Sequence, residues 1–166
     1  MLDAILNEFH AEAETTRNVL AAIPEGKFDW KPHAKSMSIG ALGQHIASTP
    51  TAICKIFSVD TFNWEDMEPD SKTQCTTTKE LLQLFDKNIE DADKTIRSWD
   101  ASKANGMWKL NKNGKIIMEL PRVAGLRGFL LNHTYHHRGQ LTVYLRLLDV
   151  PVPPVYGPTA DINPFE

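Results

Sequence analysis

Residues 121–148 read PRVAGLRGFLLNHTYHHRGQLTVYLRLL, and the reading of this stretch decides the fold. Leu126, Leu130, His133, His137, Leu141, Tyr144 and Leu148 recur every three or four residues, the period that gathers side chains on one face of an α-helix. Pro121 suits the first turn of that helix, where its missing N–H is not needed. Two positions of the stripe are histidines. His133 and His137 stand four apart, so their imidazoles share a face and can chelate one ion. Lying on the apolar stripe, they are expected to point into whatever core the helix covers.

Working outward, the rest of the chain supplies partners for this helix. Leu2, Ile5, Leu6, Phe9, Ala13, Thr16 and Leu20 predict a first helix over residues 2–22, ended by Pro24 and Gly26. Ser38 is an N-cap candidate for a second helix with the stripe Leu42, His45, Ile46, Thr49, Ile53 and Ile56. Pro50 falls inside it, and its ring meets the carbonyl of Ile46, which predicts a kink or else a break. Residues 58–76, with Pro69, Asp70 and Ser71, read as a long loop. Thr77-x-x-Glu80 is a capping box opening a third helix with Leu81, Leu82, Phe85, Ile89, Ala92 and Ile96, punctuated by Gly106. Trp108, Leu110, Ile116 and Met118 flank Asn113-Gly114, a strong hairpin signal. Two strands alone are marginal, so this hairpin must lean on the helices. Five prolines (151, 153, 154, 158 and 164) keep the tail from Val150 out of a helix. The expectation is an all-α four-helix bundle with a small β-hairpin before the last helix.

Composition bounds the function. The chain has 166 residues, 18 basic against 21 acidic, for a net charge of −3. Apolar residues at 42% supply a core and exclude a disordered chain. One domain over residues 1–166 is the default at this length. No basic excess points to a nucleic-acid partner, and no apolar run is long enough for a membrane span. The N-terminus lacks the basic region of a signal peptide, so a cytoplasmic location is expected. Cys54 and Cys75 do not make a disulfide framework. C-x-x-C, H-E-x-x-H (Thr134 stands where the Glu would be), phosphate-binding loops and G-x-S-x-G are all absent. No Glu-x-x-His occurs, which removes the ferritin-like di-iron site.

The chemistry therefore rests on histidine. His45 lies 88 residues before His133; if the second and last helices are neighbours, three imidazoles converge. Three neutral imidazoles suit zinc or nickel, and three protein ligands leave positions for water or substrate, the layout of a catalytic site. Against this, an H-x-x-x-H pair has little specificity, and a histidine on a helical stripe is more often a core residue bonded to a neighbour. Burying several imidazoles without partners is costly, which favours the metal. His136 points about 100° away from His137 and reads as an outer-sphere or surface residue, with replacement of His137 as the alternative. His10 reads as boundary packing or a pocket residue, His33 as solvated, Cys54 as packing, and Cys75 as a loop residue with no mark of a nucleophile. Gln140, three residues after His137, can reach the edge of a metal site. Tyr135 and Arg138 fall off the stripe and read as surface or interface. The Trp108 hairpin either caps one mouth of the bundle or simply packs.

The run His133-Thr134-Tyr135-His136-His137-Arg138-Gly139-Gln140-Leu141, with Tyr144-Leu145-Arg146 behind it, resembles the signature of the DinB-like (damage-inducible) family. Trp30-Lys31-Pro32, Ser36-Met37-Ser38-Ile39-Gly40 and His45-Ile46-Ala47 are similar to that family's first half, and Val152-Pro153-Pro154-Val155-Tyr156-Gly157-Pro158 to its usual ending. The resemblance implies a four-helix bundle holding a divalent metal on His45, His133 and His137, and a homodimer. For activity it implies either a thiol S-transferase or isomerase using a low-molecular-weight thiol, or a metal-dependent hydrolase, acting on an electrophilic small molecule that His10 or Gln140 orients. The alternative is a non-catalytic metal- or ligand-binding stress-response dimer. The exposed side of the first or second helix is the expected dimer face.

Overall fold

A computed structural model describes residues 2–67 and 74–165 of the chain. Four long helices carry it. α1 spans Leu2–Ala21, α2 Ile39–Ser58 and α3 Thr78–Arg97. The last rod runs through α5, Arg122–Gly125, a π-helical segment, Leu126–Asn132, and α6, His133–Leu147. α2 packs on α3 and on the last rod, and α1 closes the ring against the same two. The expected bundle is therefore the observed one, with α2 and α6 as neighbours.

Local chemistry explains most boundaries. Ser38 caps α2, its hydroxyl accepting from the Ala41 N–H at 3.1 Å. Thr77 caps α3 by accepting from the Glu80 N–H at 3.2 Å, while the Glu80 carboxylate reaches back one residue further, to the Thr76 N–H at 2.9 Å. α2 runs unbroken through Pro50. Just before the proline, the Thr49 hydroxyl donates to the His45 carbonyl at 2.8 Å.

Four expectations need correction. First, α3 does not run to Gly106. It ends at Arg97, and Asp100 caps a separate short helix, α4, Ala101–Asn105. Second, residues 58–76 are not all loop. Thr61–Asn63 form β1 and Trp64–Asp66 a 3-10 turn, while Pro69, Asp70 and Ser71 lie outside the described residues. Third, the hairpin is part of a three-stranded sheet. β2, Met107–Lys112, pairs antiparallel with β3, Lys115–Pro121, and β1 adds in parallel on the far side of β2. Fourth, Pro121 closes β3 and precedes α5 instead of sitting in its first turn. The Asn113-Gly114 turn is as expected, with φ of 50° and 76° at its two central residues, the left-handed pair a tight hairpin requires.

The sheet leans on the bundle through Trp108. Its ring lies 4.4 Å from that of Phe57, and its Nε1–H donates to the Ile56 carbonyl at 2.9 Å. The hairpin tryptophan therefore packs. Arg122, also buried, donates to the carbonyls of Phe57 and Val59 and pairs with Asp60, tying the end of α2 to the start of the last rod. Gly125 sits against the Phe57 ring so closely that a Cβ there would overlap it. Directly after it comes the π segment, in which Leu126 and Leu131, five residues apart, are both fully buried.

Candidate metal centre

α2 supplies one imidazole and α6 supplies two. The ring nitrogens offered by His45, His133 and His137 all lie within 4.8 Å of one another. His45 Nε2 and His133 Nε2 stand 2.8 Å apart. Ring centroids are separated by 5.1 Å for His45–His133, 4.6 Å for His45–His137 and 4.4 Å for His133–His137, all edge to face. The three rings are half-buried rather than enclosed in the bundle interior as the stripe had implied.

This donor set fits a divalent ion. Two nitrogens bound tetrahedrally to one zinc at about 2.1 Å stand about 3.4 Å apart, wider than the 2.8 Å between His45 Nε2 and His133 Nε2 but within the 4.8 Å that spans the group's ligand atoms. Among the described residues no carboxylate or thiolate belongs to the group, so the donors it offers are three imidazoles, a set suited to zinc, nickel or copper. His137 also has an outer partner, since its Nδ1 lies 2.8 Å from Oε1 of Gln140.

The remaining sequence candidates fall elsewhere. His136 is exposed, with its ring 4.8 Å from that of His137. His10 bonds Asp93 on α3 at 2.7 Å and is not a member of the cluster. His33 is an exposed loop residue. Cys54 is buried on α2, and burial pushes its thiol up to about 12. Cys75 is half-buried, and its N–H donates to Oε1 of the buried Gln44 at 2.7 Å.

Arg138 and Tyr135 overturn the surface reading. Arg138 is fully buried at 1% exposure. It pairs with Glu12 at 2.6 Å, donates to the Thr16 hydroxyl at 3.1 Å, and donates to the Tyr156 hydroxyl at 2.6 Å. Its guanidinium also lies over the Tyr135 and Tyr156 rings. Tyr135 donates to Glu8 at 2.7 Å, and Arg127 pairs with the same carboxylate. The Tyr135 bond, with Arg127 next, holds the Glu8 carboxyl below the usual range. Burial, then the Glu8 bond, raises the Tyr135 hydroxyl. The missed signal is a second stripe: Leu131, Arg138 and Leu145 stand seven apart and are all buried, with Arg138 against Glu12 on α1.

The class these features define is a four-helix bundle with a tri-histidine group bridging two of its helices. A profile of the DinB family matches residues 1–162, and the chain belongs to that family. It is 22% identical over 165 residues to the Bacillus subtilis protein YrdA, covering 96% of this chain and 90% of that one. Its fold is shared with a DinB-like protein from Bacillus cereus, with a TM-score of 0.75 at 20% identity over 93% of this chain and 97% of that one. It is also shared with the DinB-like protein YjoA from Bacillus subtilis, with a TM-score of 0.72 at 18% identity over 92% and 97%. A DinB family member from Exiguobacterium sibiricum follows, with a TM-score of 0.65 at 20% identity over 96% and 95%.

Proposed function

We propose that this chain is a metal-dependent enzyme, acting as a single-domain homodimer in the cytoplasm. His45, His133 and His137 hold one divalent ion, zinc or nickel, and the reaction is transfer of a low-molecular-weight thiol to an electrophilic small molecule. Hydrolysis of such a molecule is the same chemistry with water as nucleophile. One observation carries the reading: three imidazoles from two helices present their nitrogens within 4.8 Å of one another while remaining half-buried.

An ion held there supplies Lewis acidity, lowering the pKa of a thiol or water so that the nucleophile forms near neutral pH. The chain's own residues account for the rest. His45, His133 and His137 would hold the ion through nitrogen without adding negative charge of their own. In this reaction the thiol proton goes to solvent. The carbon–sulfur bond then forms as the bond to the electrophile's leaving group breaks. With a net charge of −3, a nucleic-acid substrate is disfavoured. No helix among the described residues is long and apolar enough to cross a membrane.

The test is elemental analysis of untagged protein beside the His45→Ala, His133→Ala and His137→Ala variants, followed by a panel of thiol-transfer and ester substrates. The expected result is about one ion per chain, lost in each variant, with metal-dependent turnover. Bound metal without turnover on any substrate makes the protein a binding module. Metal retained in all three variants overturns the site.

A further inference from the structure

We infer that Gln140 is a positioning residue that sets the tautomer of His137 and so decides which nitrogen that histidine offers to an ion. This rests on the tri-histidine reading above and adds the device that prepares it. An imidazole has two unlike nitrogens, and a neutral ring protonates one of them. The nitrogen that binds metal is chosen by the hydrogen bond made at the other.

The geometry is local and specific. Gln140 lies three residues after His137 on α6, so the two side chains share a helix face. Oε1 of Gln140 lies 2.8 Å from Nδ1 of His137. An amide oxygen only accepts, so Nδ1 carries the proton and Nε2 keeps its lone pair for the cluster. The opposite amide orientation would place a donor against Nδ1 and put the proton on Nε2, where it would block coordination. His45 and His133 already approach each other through Nε2, at 2.8 Å. With Gln140 holding Nδ1, His137 would offer Nε2, the same nitrogen through which His45 and His133 meet.

The choice of an amide is itself informative. A carboxylate at this position would draw the Nδ1 proton and make the ring a stronger, more anionic ligand. The neutral amide would fix the tautomer without adding negative charge to the site. Gln140 is exposed, so replacing it does not threaten the core.

Two measurements on the full chain decide the matter. The first is nitrogen NMR of labelled imidazoles in metal-free protein at pH 8, with His137 assigned by its loss in His137→Ala. Wild type is expected to hold His137 as the Nδ1–H tautomer, Gln140→Leu to lose that preference, and Gln140→Glu to restore it. The second is zinc affinity by competition with a chromogenic chelator. Gln140→Leu is expected to bind about ten- to a hundredfold more weakly, and Gln140→Glu at least as tightly as wild type. An Nε2–H tautomer in wild type, or unchanged zinc affinity in Gln140→Leu, overturns the assignment. If wild type binds no zinc, the tri-histidine reading falls, and the NMR result alone decides what Gln140 does.

Discussion

His137 and Arg138 are neighbours in the chain, yet α6 turns them about 100° apart into two unlike environments. The His137 face meets α2 and gathers three groups of the same kind, half-buried, with nitrogens turned toward one another. The Arg138 face meets α1 and joins opposites: a fully buried guanidinium with one carboxylate and two hydroxyls. Both place polar atoms between helices. On the Arg138 face the guanidinium is met by a carboxylate from α1. Three like donors gathered at one point have the composition of a ligand set, whereas an arginine met by a carboxylate on a facing helix has the composition of a structural lock.

The sharpest way to break this comparison is to remove the lock. Arg138→Met leaves the Glu12 carboxylate, with only 16% of its side chain exposed, facing no cation. Loss of one partner of a buried pair costs about 3–5 kcal/mol, and urea unfolding of the metal-free protein should register it. Adding Glu12→Leu should recover much of that loss, because a buried pair replaced by apolar groups is often neutral. If Arg138→Met unfolds like wild type, the Arg138 face is not a lock.

The opposite face should respond to metal and not to charge removal. Zinc at a hundredfold excess over its dissociation constant stabilises a specific site by about 2.7 kcal/mol. Wild type should show that increment in thermal melts, and His45→Ala should show none. Arg138→Met should keep the increment on top of its lowered baseline. An equal zinc effect in wild type and His45→Ala would mean that the ion binds elsewhere.

Both faces depend on the turn that precedes them. Gly125 meets the Phe57 ring with no room for a Cβ, and the π segment that follows it fixes the rotation of α6. Gly125→Ala must displace Phe57 or the rod, a cost of about 1–3 kcal/mol for overpacking. Unlike the two preceding changes, it should lower the metal-free melting temperature and weaken zinc binding together. An effect on stability alone would separate the turn from the site.

The sequence made the bundle and the three histidines legible because both rest on one signal, the 3.6-residue period. His45, His133 and His137 each sit on an apolar stripe, and stripes face neighbouring helices. The same period hid Arg138. Reading Leu126, Leu130, His133 and His137 as a regular helix passes over the wide turn at Leu126–Asn132, and with it the second stripe through Leu131, Arg138 and Leu145. Arg138 reads as a surface or interface residue because its partner, Glu12, lies 126 positions earlier, beyond any local pattern. β1 was missed for a similar reason. Three residues, Thr61–Asn63, carry no alternation to read, and their strand exists only because β2 offers an edge. The end of α3 was placed too late because Gly106 is a conspicuous stop, while the actual break near Trp99 precedes Asp100, whose capping role shows only in its bond to the Lys103 N–H at 2.7 Å.

The smallest expected effect sharpens the comparison from the edge of the α1 contact. Glu8 accepts from Tyr135 and pairs with Arg127, and those partners hold its carboxyl below the usual range. A carboxyl held lower in the folded chain than in the unfolded one contributes stability that is present above the ordinary glutamate value, about 4.3, and lost as pH falls through its folded value. Glu8 is 35% exposed on its side chain, so solvent screens the pair and the contribution stays under about 1 kcal/mol. Glu8→Gln should therefore be slightly less stable than wild type at pH 7, and the gap should close in acid below about pH 4. Arg138→Met should show a far larger deficit at pH 7, because the Arg138–Glu12 pair is enclosed where the Glu8 pair is wet. Equal deficits in the two variants would mean that enclosure does not set the strength of the α1 contact, and would remove the reason for treating the Arg138 face as a lock.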